Sequence, residues 1–509
     1  MKQPKRSKKE LIDIDIMDLN GSSGAKNQKK RAGTAAGQTA VRKNANREFA
    51  VITYFFLILF ICLAGYFVYF IGFASEDFIN NPYNARLATF SDTVSRGSIL
   101  SADGEVLAET QVGADGSETR VYPHGSMFSH VVGYSVNGMA GVELDANFNL
   151  LRSNAFVLER VVNELKGEKN EGDDMVTTLN YTLQKAAYEG MGKYDGAVVA
   201  LEPSTGKILA MVSKPDYNPN SIASDWEDLV SGDSSVLLNR ATQGLYPPGS
   251  TFKMITALAY IQQNTNYASY SFDCTSAYEV NGFTIHCVNN ARHGQQNLIE
   301  SFGNSCNCSF SNIGLTLDLS RFHSLAEKLL FNQTLPTRLS NTKASSFTLN
   351  EASPSAEVMQ TAIGQGNTLM TPLHMAMITS AIANGGELMK PYVMDHSVNN
   401  EGKLVKQYQP ETYGKLLSAR DAATMEEFLS YVVTDGTASA LNNDRYSVYG
   451  KTGTAEYNSN KDDNHSWFAG YARDASGKEI AVAIILEGAG SGSKHAVPLA
   501  KKMFEAYFQ

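Results

Sequence analysis

Pro247-Pro248-Gly249-Ser250-Thr251-Phe252-Lys253 is the segment of this 509-residue chain around which the fold is organised. Two prolines and a glycine end one element, and Ser250 is predicted to cap the helix that follows it. Lys253 lies about one helical turn later, so its side chain shares a face with the Ser250 hydroxyl. A lysine buried beside a hydroxyl loses part of its preference for the charged form and can accept the hydroxyl proton. Ser250 is therefore a candidate nucleophile, and Lys253 is its candidate general base.

Two later motifs carry side chains that suit the same chemistry. Ser305-Cys306-Asn307 offers a second hydroxyl for a proton relay and a carboxamide that can hold a substrate amide. In Gly450-Lys451-Thr452-Gly453-Thr454, the lysine offers its charge to a carboxylate and the first threonine offers a hydroxyl. Gly453 leaves room for a substrate backbone beside an edge strand. Each motif alone is weak, but together and in this order they form a Ser-Lys acyl-transfer set.

Apolar patterning predicts the elements around these motifs. Two apolar runs around the turn at 203–206 predict a β-hairpin, and further strands are predicted near the C-terminus. Strands at both ends of a domain with helices between them predict an α+β sandwich. The predicted strands are 175–179, 196–201, 207–212, 466–472 and 479–486, and the predicted helices are 251–262, 371–384, 420–433 and 498–508.

An uncharged, strongly apolar segment precedes these elements. The 27 residues between Glu48 and Glu76 carry no formal charge, and about 20 apolar residues are enough to span a bilayer. Residues 1–48 hold 12 Lys/Arg against 5 Asp/Glu, so the positive-inside rule places this tail in the cytoplasm and the remainder outside. A cleaved signal peptide is the alternative, but the apolar run exceeds a normal h-region. The net charge of −9 disfavours a nucleic-acid partner.

The three motifs, with matching segments from about residue 90 to the C-terminus, resemble those of the class B penicillin-binding proteins. These are monofunctional peptidoglycan D,D-transpeptidases of the bacterial plasma membrane. The matching segments are Arg96-Gly97-Ser98-Ile99, Asp103-Gly104, Leu107-Ala108, Gly141-Val142-Glu143, GAVVALEPSTGKILAMVSKPDYNPN (196–220), LNRATQGLYPPGSTFKM (238–254), Gly364-Gln365-Gly366, Thr371-Pro372 and HSWFAGYA (465–472).

The resemblance implies a domain order and a fold. A basic cytoplasmic tail (1–48) and a transmembrane helix (49–74) would precede an elongated, mostly-β pedestal of the dimerisation type (75–174). Residues 175–509 would form the penicillin-binding, β-lactamase-like serine transpeptidase domain, an antiparallel sheet flanked by helices. The expected fold class is therefore α+β.

The resemblance also implies a serine acyl-enzyme mechanism without a metal or an organic cofactor. The partners would be D-Ala-D-Ala stem peptides as donor, an amine acceptor, and β-lactams, which imitate the donor. The implied catalytic residues are Ser250, Lys253, Ser305 and Lys451, and the implied substrate-binding residues are Asn307, Thr452, Gly453 and Thr454.

A membrane partner is expected from the same resemblance. The roughly 100 residues between the anchor and the catalytic domain are too few for the glycosyltransferase domain of bifunctional relatives. A SEDS-family glycan polymerase in the membrane is therefore the expected partner. One departure concerns the pedestal, where Leu100-Ser101-Ala102-Asp103-Gly104 stands in place of the family's common Asp-Arg-Asn-Gly pattern. This departure bears on the partner rather than on the chemistry.

Four of the five cysteines lie close together in the sequence: Cys274, Cys287, Cys306 and Cys308. The favoured interpretation is a disulfide between the first two, since an exported compartment permits one. The other two would then be small buried residues. The alternative is a structural zinc site that also uses His286 or His293, although the spacing matches no standard finger.

Other functions share the motif set. A D,D-carboxypeptidase would pass the acyl group to water, and a β-lactamase would deacylate quickly with a dedicated base. A β-lactam sensor is expected to carry a sizeable cytoplasmic effector, and 48 polar residues do not suffice. A silent cell-wall scaffold is expected to have lost a motif residue, whereas Ser250, Lys253, Asn307 and Lys451 are all present.

Overall fold

The structure is a computed structural model that describes residues 36–70, 91–231, 235–456 and 463–509, with side chains from residue 47 onward. The chain divides into two compact units, residues 1–75 and 76–509. Most of the predicted basic tail therefore lies outside the described residues.

The described part of the first unit is one long helix, Ala36–Tyr69. Its segment Arg47–Tyr69 is long and apolar enough to cross a membrane, and its large apolar side chains are exposed. The sequence predicts a spanning helix over 49–74, so the observed helix begins earlier. The end of the predicted span, from residue 71 on, lies outside the described residues.

The second unit mixes helices and strands along its whole length. Its α-helices are Ser129–Val132, Gly141–Asp145, Asn147–Leu150, Val157–Lys166, Tyr181–Met191, Ile222–Ser231, Arg240–Gln243, Lys253–Gln263, Leu298–Gly303, Asn307–Thr316, Leu319–Lys328, Ser355–Ala362, Pro372–Ala383, Ala419–Thr434 and Ala496–Tyr507. Its strands are Val94–Ser95, Ile99–Leu100, Val106–Val112, Glu118–Val121, Asn170–Glu171, Asp174–Thr177, Gly196–Leu201, Ile208–Lys214, Phe272–Cys274, Ala277–Val280, Phe283–His286, Gly294–Gln296, Glu387–Met389, Met394–Val398, Leu404–Gln407, Thr412–Lys415, Ser447–Ala455, His465–Arg473 and Glu479–Leu486.

An antiparallel five-stranded sheet forms the centre of this unit. In this sheet the last strands of the chain lie beside the early hairpin. This agrees with the prediction that strands lie at both ends of the domain. The observed mixture of sheet and helices confirms the expected α+β fold class. The spatial order of the strands is Ser447–Ala455, His465–Arg473, Glu479–Leu486, Gly196–Leu201 and Ile208–Lys214.

Helices cover this sheet. Every residue of Pro372–Ala383 is buried, and this helix packs on the strands Glu479–Leu486 and Gly196–Leu201. Its residues are apolar nearly all around the helix, a pattern typical of a helix enclosed by the core. The helices Tyr181–Met191 and Ala496–Tyr507 pack against each other and against strands of the same sheet.

A second sheet, of six strands, connects the pedestal residues to later parts of the chain. Asp174–Thr177 pairs in parallel with Ile99–Leu100 and antiparallel with Met394–Val398. The expected domain boundary between residues 174 and 175 falls at the start of this shared strand. The boundary itself stays a prediction.

A buried ion cluster holds the pedestal residues together. Glu143 is fully buried, and its two carboxylate oxygens lie 2.6 Å from Arg96 Nε and 2.8 Å from Arg120 Nε. Burial favours the neutral acid, but the two guanidinium groups outweigh it and hold the pKa of Glu143 below its usual value. Arg96 and Glu143, which come from two of the matching sequence segments, are therefore direct partners.

We expect Glu143→Gln to lower the free energy of unfolding by about 3 kcal/mol, because it leaves two guanidinium groups without their buried counter-charge. Urea denaturation of the protein measures this loss. Glu118→Gln is the matched control, since its carboxylate pairs with Lys169 near the surface over 2.9 Å and should contribute less than about 1 kcal/mol. Equal losses in the two variants would contradict the importance of the buried cluster.

Candidate active site

Ser250 lies in a tight turn that leads directly into a helix. A 3-10 turn covers Gly249–Phe252, and the α-helix runs over Lys253–Gln263. The prediction that Ser250 caps this helix is wrong, because Phe252 occupies the N-cap and no side chain bonds there. The Ser250 hydroxyl is directed instead to Lys253, whose Nζ lies 3.1 Å from Oγ.

Close backbone packing fixes the position of this turn. The Gly249 N–H donates to the Gly364 carbonyl over 2.8 Å, and both glycines have positive φ, +54° and +77°. A Cβ on Gly364 would lie 2.0 Å from the Gly249 carbonyl oxygen, far inside van der Waals contact. Glycine is therefore required at position 364 if the turn that carries Ser250 is to keep its place.

The Lys253 amine joins two of the three sequence motifs. Besides its contact with Ser250, Nζ lies 2.7 Å from Asn307 Oδ1 and 3.3 Å from Ser305 Oγ, and it donates to the Ser305 carbonyl over 2.7 Å. Ser305 has a φ of +54°, a left-handed conformation that costs about 1 kcal/mol or more for a residue with a side chain. Asn307 donates through Nδ2 to the His286 carbonyl over 3.0 Å. Both ends of the Asn307 carboxamide are thus held.

Both lysines of the site are fully buried. Desolvation lowers the pKa of Lys253 to about 8, although the neighbouring cysteine thiols act in the opposite direction. Burial and the nearby charge of Lys253 lower the pKa of Lys451 well below its usual value. A neutral amine, which can accept a proton, is therefore far easier to reach here than on a solvated lysine.

The third motif lies on Ser447–Ala455, an edge strand of the central sheet, as the sequence predicts. Lys451 Nζ donates to the Thr452 carbonyl over 3.2 Å, and the Thr452 hydroxyl lies 2.6 Å from the Thr437 hydroxyl. A Cβ on Gly453 would lie 2.9 Å from Trp467 Cβ, so this glycine allows close packing within the protein. Its expected role of leaving room for substrate stays a prediction.

A cleft with a volume of about 810 Å³ opens beside Ser250. Three of the predicted site residues line it, one from each motif: Ser250, Asn307 and Thr454. The other predicted residues do not line the cleft; these are Lys253, Ser305, Lys451, Thr452 and Gly453. The structure thus brings one residue of every motif to the same cleft wall.

Several residues of this cleft are not predicted by the sequence patterns. The wall includes the segment 283–290, together with Gln360, Gln365 and Asn464. Asn464 is buried, and its Oδ1 has no hydrogen-bond partner among the described residues. Of the sequence features described above, only the Gly364-Gln365-Gly366 match points to a residue of this wall, and it does not indicate what that residue does. The other residues belong to the hairpin and the turn after it, to the helix Ser355–Ala362 and to the start of the strand His465–Arg473, and no pattern connects them to Ser250.

The four cysteines outside the membrane segment form one buried cluster next to the same cleft. The disulfide expected between Cys274 and Cys287 is not formed, since all cysteines are free thiols and these two sulfurs lie 3.6 Å apart. The physical reason is that Cys287 has other thiols equally close to it: its Sγ is also 3.6 Å from Cys306 Sγ and 3.5 Å from Cys308 Sγ. Cys274 and Cys287 are therefore not an isolated pair of cysteines.

Known proteins share this architecture and these motifs. Residues 196–505 match the family described as the penicillin binding protein transpeptidase domain, and residues 96–175 match the penicillin binding protein A dimerisation domain. The chain belongs to the class B penicillin-binding proteins. The family resemblance found in the sequence is confirmed.

Individual members of the family are similar over most of the chain. Peptidoglycan D,D-transpeptidase PbpA of Mycolicibacterium smegmatis is 30% identical over 470 residues, which cover 85% of this chain and 93% of that protein. The structure of penicillin-binding protein A from M. tuberculosis as an imipenem acyl-enzyme complex has a TM-score of 0.73 at 27% identity, covering 82% of this chain and 100% of that one. The D,D-transpeptidase domain of a peptidoglycan glycosyltransferase from Eggerthella lenta has a TM-score of 0.71 at 31% identity, covering 81% and 98%.

The lowered pKa of Lys253 predicts how reaction with a penicillin depends on pH. The rate should rise with pH and level off above about 8, because the neutral amine and not the ammonium ion accepts the Ser250 proton. Lys253→Arg keeps a cation that does not deprotonate, and we expect it to react at least about a hundredfold more slowly at every pH. Stopped-flow acylation rates across the pH range measure both effects. A rate without pH dependence in the unaltered protein would exclude Lys253 as the base.

Proposed function

We propose that this protein is a peptidoglycan D,D-transpeptidase that acts through a serine acyl-enzyme formed on Ser250. One observation carries the proposal: the buried Lys253 amine lies within hydrogen-bond distance of Ser250 Oγ, Ser305 Oγ and Asn307 Oδ1 at the edge of the cleft. A nucleophile, a base with a lowered pKa and a group that orients the base are the parts that acyl transfer requires.

In the acylation step, Ser250 Oγ attacks the carbonyl carbon between the two D-alanines of a donor stem peptide. Neutral Lys253 takes the hydroxyl proton as the new ester bond forms. The terminal D-alanine then leaves as an amine, and it receives a proton by way of Ser305, with Lys451 assisting. An acceptor amine from a second stem peptide attacks the ester, releases Ser250 and forms the cross-link.

The cleft wall would support this reaction by binding the donor and stabilising charge. The Asn307 carboxamide would bind the donor amide, and the strand around Thr452, Gly453 and Thr454 would hold the terminal carboxylate with the positive field of Lys451. The N–H groups of Ser250 and Thr454 would stabilise the tetrahedral oxyanion. Their proximity is supported by the residue before Ser250, where a Cβ would lie 2.8 Å from the Thr454 carbonyl oxygen.

The orientation in the membrane follows from charge. The excess of Lys and Arg before the apolar helix supports a cytoplasmic N-terminus and an extracytoplasmic catalytic unit. Ser250 would then lie on the side of the membrane where stem peptides are cross-linked.

The proposed partner is a SEDS-family glycan polymerase in the membrane, which would supply the strands to be cross-linked. Support comes from an exposed apolar surface on the pedestal helix Val157–Lys166, where Leu165 is 83% exposed and Leu158 is 65% exposed. A group of exposed apolar side chains of this kind is typical of a protein or membrane interface. The other exposed apolar residues of this surface are Phe156, Val157, Val161 and Val162.

Intact-mass analysis after incubation with penicillin tests the proposed chemistry. We expect one covalent adduct on the unaltered protein and on Ser324→Ala, which removes an exposed serine, and no adduct on Ser250→Ala. A membrane-impermeant labelled penicillin added to intact cells should label the same serine, because the catalytic unit is outside. Absence of an adduct on the folded protein would reject the acyl-enzyme, and an adduct lost within seconds would favour a β-lactamase.

Co-purification from membranes with a co-expressed SEDS polymerase tests the partner. The double variant Leu158→Glu with Leu165→Glu should lose the polymerase, because it places two charges in the proposed apolar contact. Penicillin acylation should be unchanged, since neither residue lines the cleft. Glu164→Lys alters an exposed polar residue of the same helix and serves as the control. Retention of the polymerase by the double variant would exclude this surface as the contact.

A further inference from the structure

The active-site cleft contains very few charged side chains. Among the described residues that line it there is no lysine or arginine, and Glu456 is the only carboxylate. The other ionisable side chains of this lining are His286 and Cys287. Neutral polar walls suit a peptide, and a single carboxylate among them favours a cation at that end of the cleft. Six side-chain amides line the same cleft: Asn289, Asn290, Asn307, Gln360, Gln365 and Asn464.

Glu456 directly follows the edge strand Ser447–Ala455 and continues the face that this strand presents to the cleft. Side chains alternate between the two faces of a strand. Thr454 and Glu456 both line the cleft, whereas Ala455 between them is fully buried. The Glu456 side chain is exposed, and it pairs with no basic side chain among the described residues. Its negative charge is therefore available to a ligand that lies along the strand.

Asn464 is the second and independent feature of this end of the cleft. It directly precedes His465, which is paired with Ala455 in the central sheet. Asn464 is only 7% exposed, and its Oδ1 has no hydrogen-bond partner among the described residues. Eight buried side-chain polar atoms of the described chain share this condition, but only this one belongs to a residue that lines the cleft. A buried acceptor without a donor is destabilising, so a donor supplied by a ligand would be favoured here.

The spacing along the strand indicates which part of a donor peptide reaches these two residues. In the proposed complex, the strand around Thr452 and Thr454 holds the terminal carboxylate of the donor. Thr452 does not line the cleft, so the rest of the donor runs in the other direction, toward Glu456. A strand advances about 3.3 Å per residue, which places Glu456 about 6.6 Å beyond Thr454. An extended donor covers this distance in about two residues, so the residue before the two D-alanines lies beside Glu456.

We propose that Glu456 and Asn464 form a subsite for a donor side chain that ends in a primary ammonium group. This side chain belongs to the residue that precedes the two D-alanines, and the inference rests on the proposed function. The ammonium group donates hydrogen bonds to the Glu456 carboxylate and to Asn464 Oδ1. Both residues determine specificity by binding, and neither takes part in the transfer of the acyl group or of protons.

The same amine chemistry also occurs in the acceptor, but the carboxylate favours the donor assignment. An attacking amine must be neutral, because an ammonium group has no free electron pair for the new bond. A carboxylate beside an amine stabilises the charged form, and so keeps it from reacting. An attacking nitrogen must also lie about 3 Å from the ester carbon, whereas Glu456 lies two residues along the strand from Thr454. Glu456 is therefore suited to an amine that is recognised and does not react.

Release of D-alanine from three synthetic donors tests the subsite with the full chain in detergent. The donors are N-acetylated tripeptides that end in D-Ala-D-Ala and begin with lysine, norleucine or 2-aminoadipate. We expect kcat/KM to be at least about fivefold higher for the lysine donor than for the norleucine donor, and lowest for the aminoadipate donor. The preference for lysine should weaken as salt is added, because Glu456 is exposed.

Variants of Glu456 test the role of its charge. Glu456→Gln should remove most of the preference for the lysine donor over the norleucine donor. Glu456→Lys should reverse the charge preference, so that the aminoadipate donor reacts faster than the lysine donor. Glu351→Gln is the matched control, because it removes an exposed carboxylate that does not line the cleft, and it should keep the original preference.

Asn464→Leu tests the buried acceptor with a side chain of similar size. We expect the ratio of kcat/KM between the lysine and norleucine donors to fall at least about threefold, because Oδ1 is lost. The ratio is the measured quantity, since a general disturbance of the site would slow both donors equally. An unchanged ratio in this variant would reject Asn464 as part of the subsite.

Four further results would overturn the proposal. Equal kcat/KM for the lysine and norleucine donors in the unaltered protein would do so, as would a Glu456→Lys variant that still prefers lysine. Release of D-alanine from none of the donors, by a protein that reacts with penicillin, would also reject the subsite. An effect of Glu456→Gln only on the rate at which an added amine resolves the acyl-enzyme would assign these residues to the acceptor. A folded protein that never reacts with penicillin would instead reject the proposed function itself.

Discussion

The contacts of the active site follow from the burial of a single amine. Lys253 is fully buried, and a charged ammonium group removed from water is stable only if its hydrogen bonds are replaced. The protein supplies these from Ser250, Ser305 and Asn307. The same contacts that compensate the buried amine therefore assemble the proposed nucleophile, the proposed relay and the proposed amide-binding group around it.

Holding these partners in place requires rigid backbone on every side. Gly364 allows the turn that carries Ser250 to approach a neighbouring loop, and Gly453 allows the edge strand to pack closely on Trp467. Ser305 is held in a left-handed conformation between two helices. This rigidity would serve the proposed acyl transfer, which loses rate steeply when reacting groups are misplaced by about 1 Å.

Local patterning predicts the elements that have strong periodicity or complete burial. The strands 196–201, 465–473 and 479–486 and the helix 372–383 appear where the sequence places them, within two residues. The hairpin 277–286 and the helix Asn307–Thr316 are not predicted from the sequence. Their residues are mixed in polarity, and contacts with distant parts of the chain decide their conformation.

Residue type and order along the chain are enough to specify the family and the three motifs, and to suggest the chemistry proposed for them. They do not specify that Ser250 leaves its helix uncapped, that Lys253 is fully buried, or which groups line the cleft. The convergence of four cysteines and His293, in place of one isolated pair, likewise comes from the folded chain alone. Distances and solvent exposure depend on how separate segments pack, and no local pattern records that packing.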